Sequence, residues 1–159
     1  MIDEILESIR SIPVRAQAIG SGNRAWTQAV KSAFIELGKK HDWGVCASSA
    51  EAGVEPEWLY DLCWYSRTND EEFHVGLVLE SEWAHDYYDL RFDFEKLLCA
   101  KARYKIFVFE AYDDVLEKHL AALESAIKKC KFSSIGETYI LAAYQPARRE
   151  FRIQKIEGA

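Results

Sequence analysis

The sequence predicts an α/β fold in which helices flank a mixed β-sheet. Four segments place apolar residues three and four positions apart, as in amphipathic helices, and six shorter segments have the apolar character of strands. The two kinds of segment interleave. Because a helix separates the third strand from the fourth, a crossover is expected to make the fourth strand parallel to a neighbour. The 159 residues, 49% of them hydrophobic, suffice for a single domain spanning 1–159.

Two helices precede any strand. An apolar stripe at helical spacing predicts a short first helix over 2–12, and Pro13 is expected to end it. After a loop at 21–23, a second stripe that begins at Trp26 predicts the longest helix, over about 24–41.

Three strands are expected next. The segment 43–48 has the pattern of a short strand, and 57–65 and 73–80 are rich in the aromatic and branched residues that favour strands. Because a polar turn at 66–72 separates the last two segments, they are expected to form a hairpin.

The second half of the chain alternates helices and strands and ends in a hairpin. Asp86 is a suitable N-cap for a helix over 87–102. The remaining elements are a buried strand, a helix with acids at its start and lysines at its end, and two strands joined by a short turn, over 105–112, 113–131, 138–145 and 149–156.

Charge and composition exclude several classes of protein. No apolar run approaches the roughly 20 residues of a membrane span, and the acidic start of the chain does not fit a secretory signal, so a cytoplasmic location without membrane contact is expected. The four cysteines form no C-x-x-C pair, which favours reduced thiols over a zinc site. The net charge is −6, and the acid is concentrated in 51–100, where 13 acidic residues accompany 3 basic ones. Such a stretch is either solvated or neutralised by a cation.

Three acids in this stretch form a candidate metal site. Asp61 interrupts the second predicted strand, and ionised carboxylates are rarely buried without a partner. Glu80 and Glu82, at the end of the third strand, project from one face about 7 Å apart and repel each other. Mg²⁺, which prefers oxygen ligands, would relieve this repulsion, with Asp61 on the adjacent strand as a further ligand. The alternative is that Asp61 pairs with an Arg or Lys, while Glu80 and Glu82 mark the emergence of the strand into solvent.

The order of elements, together with these acids, resembles the PD-(D/E)XK nuclease-like superfamily, which includes restriction and repair endonucleases. The likeness covers residues 24–111 as a restriction endonuclease-like αβββαβ core, to which this chain adds a C-terminal helix and a β-hairpin. Asp61 takes the place of the motif Asp and Glu80 that of the acidic ligand, while Glu82 stands where the family usually has Lys. Tyr60 replaces the Pro that precedes the motif Asp.

Two further positions complete the site that the resemblance implies. Some members of the superfamily carry the catalytic Lys on the following helix, where Lys96 is placed to extend back toward the sheet. The first core helix often supplies another acid, for which Glu36 is the candidate. The resemblance therefore implies Mg²⁺ bound by Asp61, Glu80 and Glu36.

The implied function is that of a Mg²⁺-dependent endonuclease, a phosphodiesterase that acts on DNA or RNA. The metal would orient and acidify a water, and Lys96 would offset the negative charge of the transition state. Glu82 would bind a second metal or accept a proton. Two alternatives stay open: a non-catalytic module of this fold that binds a protein partner or forms a homodimer, and a structural α/β domain. The net acidity and Glu82 favour the module, since surfaces that bind nucleic acid are usually basic.

Overall fold

The structure is a computed structural model, and it describes residues 1–68, 72–84 and 86–158. The helices are α1 (Ile2–Ile19), α2 (Gly22–Lys40), α3 (Tyr87–Cys99) and α4 (Leu116–Lys129). The strands are β1 (Gly44–Ala47), β2 (Leu62–Thr68), β3 (Glu72–Glu82), β4 (Tyr104–Glu110), β5 (Thr138–Gln145) and β6 (Glu150–Glu157). The predicted order of helices and strands is confirmed, and with it the α/β class, while the restriction endonuclease-like core stays a prediction.

The strands follow the chain order, from β1 to β6, in a mixed sheet. β1 and β2 are antiparallel, β3 pairs with β4 and β4 with β5 in parallel, and β5 and β6 are antiparallel. The parallel pairing of β3 with β4 confirms the crossover expected from the helix between them. The turn predicted between β2 and β3 includes residues 69–71, which lie outside the described residues.

Contacts divide the chain into two units, Met1–Gly76 and Leu77–Ala159, and the boundary falls inside β3. The first unit holds α1, α2, β1 and β2, and the second holds α3, α4, β4, β5 and β6. The organisation of the whole chain as one domain stays a prediction.

The sequence predicted that helix α1 ends at Pro13. The helix continues to Ile19, with the proline inside it. An internal proline removes one helical hydrogen bond and costs about 3 kcal/mol. Ile9 and Ile12 before the proline and Ala16 after it are all buried, so the apolar stripe continues across it and packing offsets this cost. Among the described residues, no helix combines the length and the apolar character that crossing a bilayer requires.

Helix α2 lies close against the first two strands. A Cβ on Gly38 would come within 2.6 Å of the Trp64 indole nitrogen and 2.9 Å of a Val45 methyl group, so only glycine permits this approach. The same indole N–H donates a hydrogen bond of 2.9 Å to the carbonyl of Phe34. This packing fixes the helix face that carries Lys31 relative to the start of β2.

Strand β2 begins at Leu62, five residues later than predicted, so Asp61 immediately precedes the strand and does not interrupt it. The residues before it are not extended, because the Lys31 ammonium contacts Glu57 at 2.7 Å and Asp61 at 3.8 Å. In an extended strand two residues four positions apart are separated by about 13 Å, which one ammonium does not readily span. The ion pairs therefore favour a bend before Leu62, where the aromatic composition of 57–65 had predicted a strand.

The core of the second unit is formed by β4 and β5, whose inner residues are buried on both faces, as is usual for parallel strands. Helix α3 covers β4, and the ring centroids of Phe94 and Phe107 lie 5.4 Å apart. Helix α4 begins three residues later than predicted, because Asp113 lies outside it and accepts a hydrogen bond of 2.8 Å from the Gln145 amide.

Candidate functional site

Helix α3 carries two of the charged side chains of the candidate site. Its N-terminus is capped as predicted: the Asp86 carboxylate accepts a hydrogen bond of 2.9 Å from a backbone N–H of the first turn. The contact of Phe94 with β4 fixes the rotation of the helix about its axis. Asp93, adjacent to Phe94, and Lys96, three residues further on, therefore share the side of the helix that reaches the end of β3.

Glu80 is the most deeply buried acid of the predicted site, with 3% of its side chain exposed. The Lys96 ammonium lies 3.0 Å from Glu80 Oε2 and 2.8 Å from Asp93 Oδ1. Burial acts to lower the pKa of Lys96, but the hydrogen bonds to Asp93 and Glu80 prevail and raise it to about 12. Lys96 is therefore a charged ammonium at neutral pH, and it contacts Glu80 at the end of β3, toward the sheet as the resemblance implied.

Glu82 shares this end of β3, and the strand continues through it, as the predicted spacing required. Its Oε1 accepts a hydrogen bond of 2.6 Å from the backbone N–H of Ala84. Partial burial raises the pKa of Glu82, and a hydrogen bond with the Asp93 carboxyl and the charge of that group raise it further. A carboxylate whose pKa is raised is a stronger base than a solvated one, so Glu82 is suited to accept a proton.

Together these four side chains, Glu80, Glu82, Asp93 and Lys96, form what we call the β3 carboxyl cluster. Carboxylate oxygens are the ligands that Mg²⁺ prefers, so the donor chemistry of the cluster fits this ion. Within the residues that the structure describes, however, no three His, Cys, Asp or Glu side chains are grouped as a metal site. The cationic position between Glu80 and Asp93 is taken by Lys96.

Asp61 lies in the first unit, at the start of β2, and contacts Lys31 of α2. Lys31 is buried and makes its shorter contact with Glu57, at 2.7 Å. We refer to these three side chains, Lys31, Glu57 and Asp61, as the Lys31 group. This pairing matches the alternative in which Asp61 is a partner for a lysine from a neighbouring element.

Glu36 also lies in the first unit, where Arg15 of α1 holds it. Both oxygens of the Glu36 carboxylate accept hydrogen bonds of 2.7 Å from the guanidinium of Arg15. These hydrogen bonds lower the pKa of Glu36, and its side chain is 56% exposed. The structure thus gives Glu36 a role in joining α1 to α2, and its role as a metal ligand stays a prediction.

The sequence analysis missed three charged residues of these groups, Lys31, Glu57 and Asp93, and for Lys31 and Asp93 the sequence carried a signal. Lys31 follows Val30 on the buried face of α2, and its helical spacing of three from Phe34 is the signal that it points inward. Asp93 stands three positions before Lys96, a spacing at which opposite charges pair on a helix surface. In both cases the spacing within the helix could be seen in the sequence. The partner outside the helix, Glu57 for Lys31 and Glu82 for Asp93, could not.

Comparison with known proteins leaves the family of this chain open. The chain matches no protein-family model, and neither curated proteins nor solved structures contain a significant match to it. The likeness to the PD-(D/E)XK superfamily therefore stays a prediction that rests on the order of elements and on Asp61, Glu80 and Glu82.

Proposed function

We propose that this chain is a metal-dependent phosphodiesterase that acts on nucleic acid. The observation that supports the proposal is the β3 carboxyl cluster. In it the buried Glu80 forms an ion pair with Lys96, and a hydrogen bond joins the carboxyl groups of Glu82 and Asp93. Groups with shifted pKa values that converge on one strand end are frequent at catalytic sites. Besides the Glu80–Lys96 ion pair, this cluster contains two further carboxyl groups, Glu82 and Asp93.

The side chains of the cluster have separable roles in this proposal. Bound Mg²⁺ would acidify and orient a water and stabilise charge on the leaving oxygen. Glu80 and Asp93 provide carboxylate oxygens for the ion. Lys96, charged at neutral pH, offsets the negative charge of the phosphodiester. Glu82, whose pKa is raised by partial burial and by Asp93, takes up the proton that the attacking water releases.

The decisive experiment measures cleavage of single- and double-stranded DNA and RNA in Mg²⁺ or Mn²⁺. We expect Glu80→Gln to lower the rate by about 100-fold or more, because it removes a carboxylate from the reacting centre. Glu95→Gln is the matched control, since Glu95 lies on the same helix with its side chain about half exposed and paired with Arg91. Equal cleavage by the wild type and Glu80→Gln, or no cleavage by either, contradicts the proposal.

Asp61 is tested separately, since it enters the proposal from the sequence. Asp61→Asn is expected to lower cleavage if Asp61 is a metal ligand. If Asp61 serves only Lys31, the variant changes stability and leaves the cleavage rate of the folded protein unchanged. Thermal unfolding of the same samples separates the two outcomes.

A non-catalytic interaction module is the second candidate, and one observation favours it. Lys96 already neutralises charge on Glu80 and Asp93, so no metal ion is required for their repulsion to be relieved. The net charge of −6 points the same way, since it opposes association with phosphate groups. Calorimetry that shows no heat of Mg²⁺ binding, together with sedimentation that shows self-association, would favour this candidate over the phosphodiesterase.

A further inference from the structure

A pocket of about 440 Å³ opens in the first unit, and aromatic rings form much of its wall. The Trp58 ring meets the Phe73 ring edge-on, with centroids 6.2 Å apart and planes at 88°. Tyr65 stacks on the same Phe73 ring, with centroids 5.8 Å apart and planes inclined by 28°. The buried thiols of Cys46 and Cys63 also line the pocket. The cavity thus presents flat apolar surfaces in two orientations.

The rings of this pocket are more exposed than folding alone explains. Trp58 is 56% exposed and Phe73 is 53% exposed, although each is a large apolar side chain. Ligand sites are typically concave, aromatic-lined cavities of about 300–1,000 Å³ with a few fixed polar groups, and this pocket falls in that range. Exposed aromatic rings that wall such a cavity indicate a ligand that covers them.

One basic and one acidic side chain, Arg67 and Glu55, lie beside these rings. The Arg67 guanidinium carbon lies 5.9 Å from the ring centroids of both Tyr65 and Phe73. The Glu55 carboxylate accepts a hydrogen bond from the Tyr65 hydroxyl, and the Glu55 backbone N–H donates to the carbonyl of Val45 at 2.8 Å. The pocket therefore combines flat stacking surfaces with a cation, Arg67, beside the rings and a hydrogen-bond acceptor, Glu55, held by Tyr65.

We propose that this pocket binds one nucleobase of an unpaired nucleic-acid strand. The identity of the ligand rests on the proposed function, whereas the pocket itself is formed by the first unit alone. A base stacks on an aromatic ring such as Trp58, an exocyclic amine or ring N–H of the base donates to Glu55, and Arg67 stacks on the base or contacts the adjoining phosphate. A paired base does not fit this arrangement, because its faces are covered by its neighbours in the duplex.

Charge near the pocket does not oppose this ligand as strongly as the net acidity suggests. Glu57, which also lines the pocket, is neutralised by Lys31 at 2.7 Å. Glu55 and Arg67 then leave the pocket close to neutral. Stacking, which tolerates any base, thus contributes more to binding here than phosphate contacts do.

The test is binding of labelled 12-nucleotide strands to the full chain in EDTA, followed by fluorescence anisotropy and by quenching of tryptophan emission. Without a divalent metal ion no cleavage is expected, so the result is independent of the proposed activity. We expect single strands to bind with dissociation constants on the order of micromolar at low salt, and the same sequences as duplexes to bind at least tenfold more weakly.

Trp58→Ala is expected to weaken single-strand binding by about tenfold, the loss of roughly one base stack, while Trp58→Phe keeps most of the affinity. The ring is more than half exposed, so the variant is expected to fold. Phe92→Ala is the matched control, since Phe92 is a 62% exposed aromatic residue of the second unit that does not line the pocket. Phe73→Ala serves as an independent second variant.

The pocket proposal would be overturned by no binding of any single strand, or by equal loss of affinity in Trp58→Ala and Phe92→Ala. Self-association that depends on Trp58, in place of nucleic-acid binding, would also overturn it and would identify the rings as a protein interface. Binding in EDTA without cleavage in Mg²⁺ or Mn²⁺ would contradict only the proposed activity. Cleavage that requires Glu80, without a Trp58-dependent preference for single strands, would contradict only the pocket.

Discussion

The Lys31 group and the β3 carboxyl cluster both pair one lysine with two carboxylates, but they bury opposite charges. In the first unit the ammonium is the buried partner: the side chain of Lys31 is 10% exposed and that of Glu57 is 41% exposed. In the second unit the carboxylate is buried, with Glu80 at 3% and Lys96 at 38%. Removing a charge from water is costly, so in each group the exposed member compensates the buried one.

This difference indicates what each group is able to do. The acids of the Lys31 group neutralise a buried ammonium and stabilise the bend before β2. Their role is therefore structural. In the β3 carboxyl cluster the cation compensates a buried acid, and the cation itself is partly exposed. A partly exposed ammonium can be replaced by another cation more readily than a buried one, so we infer that the cluster is the better candidate for metal binding.

The largest expected effect is that of Lys96→Met on the stability of the protein. The substitution keeps a long apolar stem but leaves the Glu80 carboxylate buried without its ammonium, so we expect the free energy of unfolding at pH 7 to fall by about 3 kcal/mol. Urea denaturation measures this change. Adding Glu80→Gln to the variant removes the buried charge and is expected to restore most of the stability. A double variant no more stable than Lys96→Met would show that charge burial is not the cause.

The same substitution in the other group, Lys31→Met, is expected to cost about 1 kcal/mol or less. The acids that it leaves behind are partly solvated, and methionine fills nearly the volume of the buried lysine stem. Urea denaturation under the same conditions gives the comparison directly. If Lys31→Met destabilises the protein as much as Lys96→Met, the assignment of opposite roles to the two groups is wrong.

The sequence was sufficient for the order of the elements, because periodicity along the chain is local. The contact of Lys96 with Glu80 agrees with the position that the resemblance implied for a lysine on the helix after β3. The sequence was insufficient where contacts with residues distant in the chain determine where a helix or strand begins or ends. Pro13 lies inside α1, whose buried stripe continues to Ala16, and Asp61 lies just outside the strand, where it contacts Lys31.

The side chains that pair with the candidate acids could not be predicted from the sequence either. Glu36 has the spacing expected of a residue at the margin of the apolar stripe, and nothing local shows that Arg15, 21 residues earlier, forms two hydrogen bonds with it. Which of two nearby charges is buried depends on how the helix packs on the sheet. For that reason candidate residues were identifiable from the sequence, whereas the side chains that complete each group required the structure.

The smallest expected effect concerns proton binding by Glu82. Burial and the neighbouring Asp93 raise the pKa of Glu82 above its ordinary value of 4.5, so the folded protein holds this proton more tightly than the unfolded chain does. The group therefore destabilises the fold at neutral pH, and this penalty disappears as the pH falls through the raised pKa toward 4.5. Asp93→Asn removes the neighbouring charge and is expected to lower the pKa of Glu82.

Carbon NMR of the Glu82 carboxyl, followed from pH 3 to 8, measures this change, with Glu95→Gln as the control that leaves Glu82 unaltered. A downward shift in Asp93→Asn would establish that the two carboxyl groups interact in solution. An unchanged titration would show that burial alone sets the pKa, and it would remove the carboxyl pair from the argument for a catalytic site. The contrast with the Lys31 group would then depend on Glu80 and Lys96 alone.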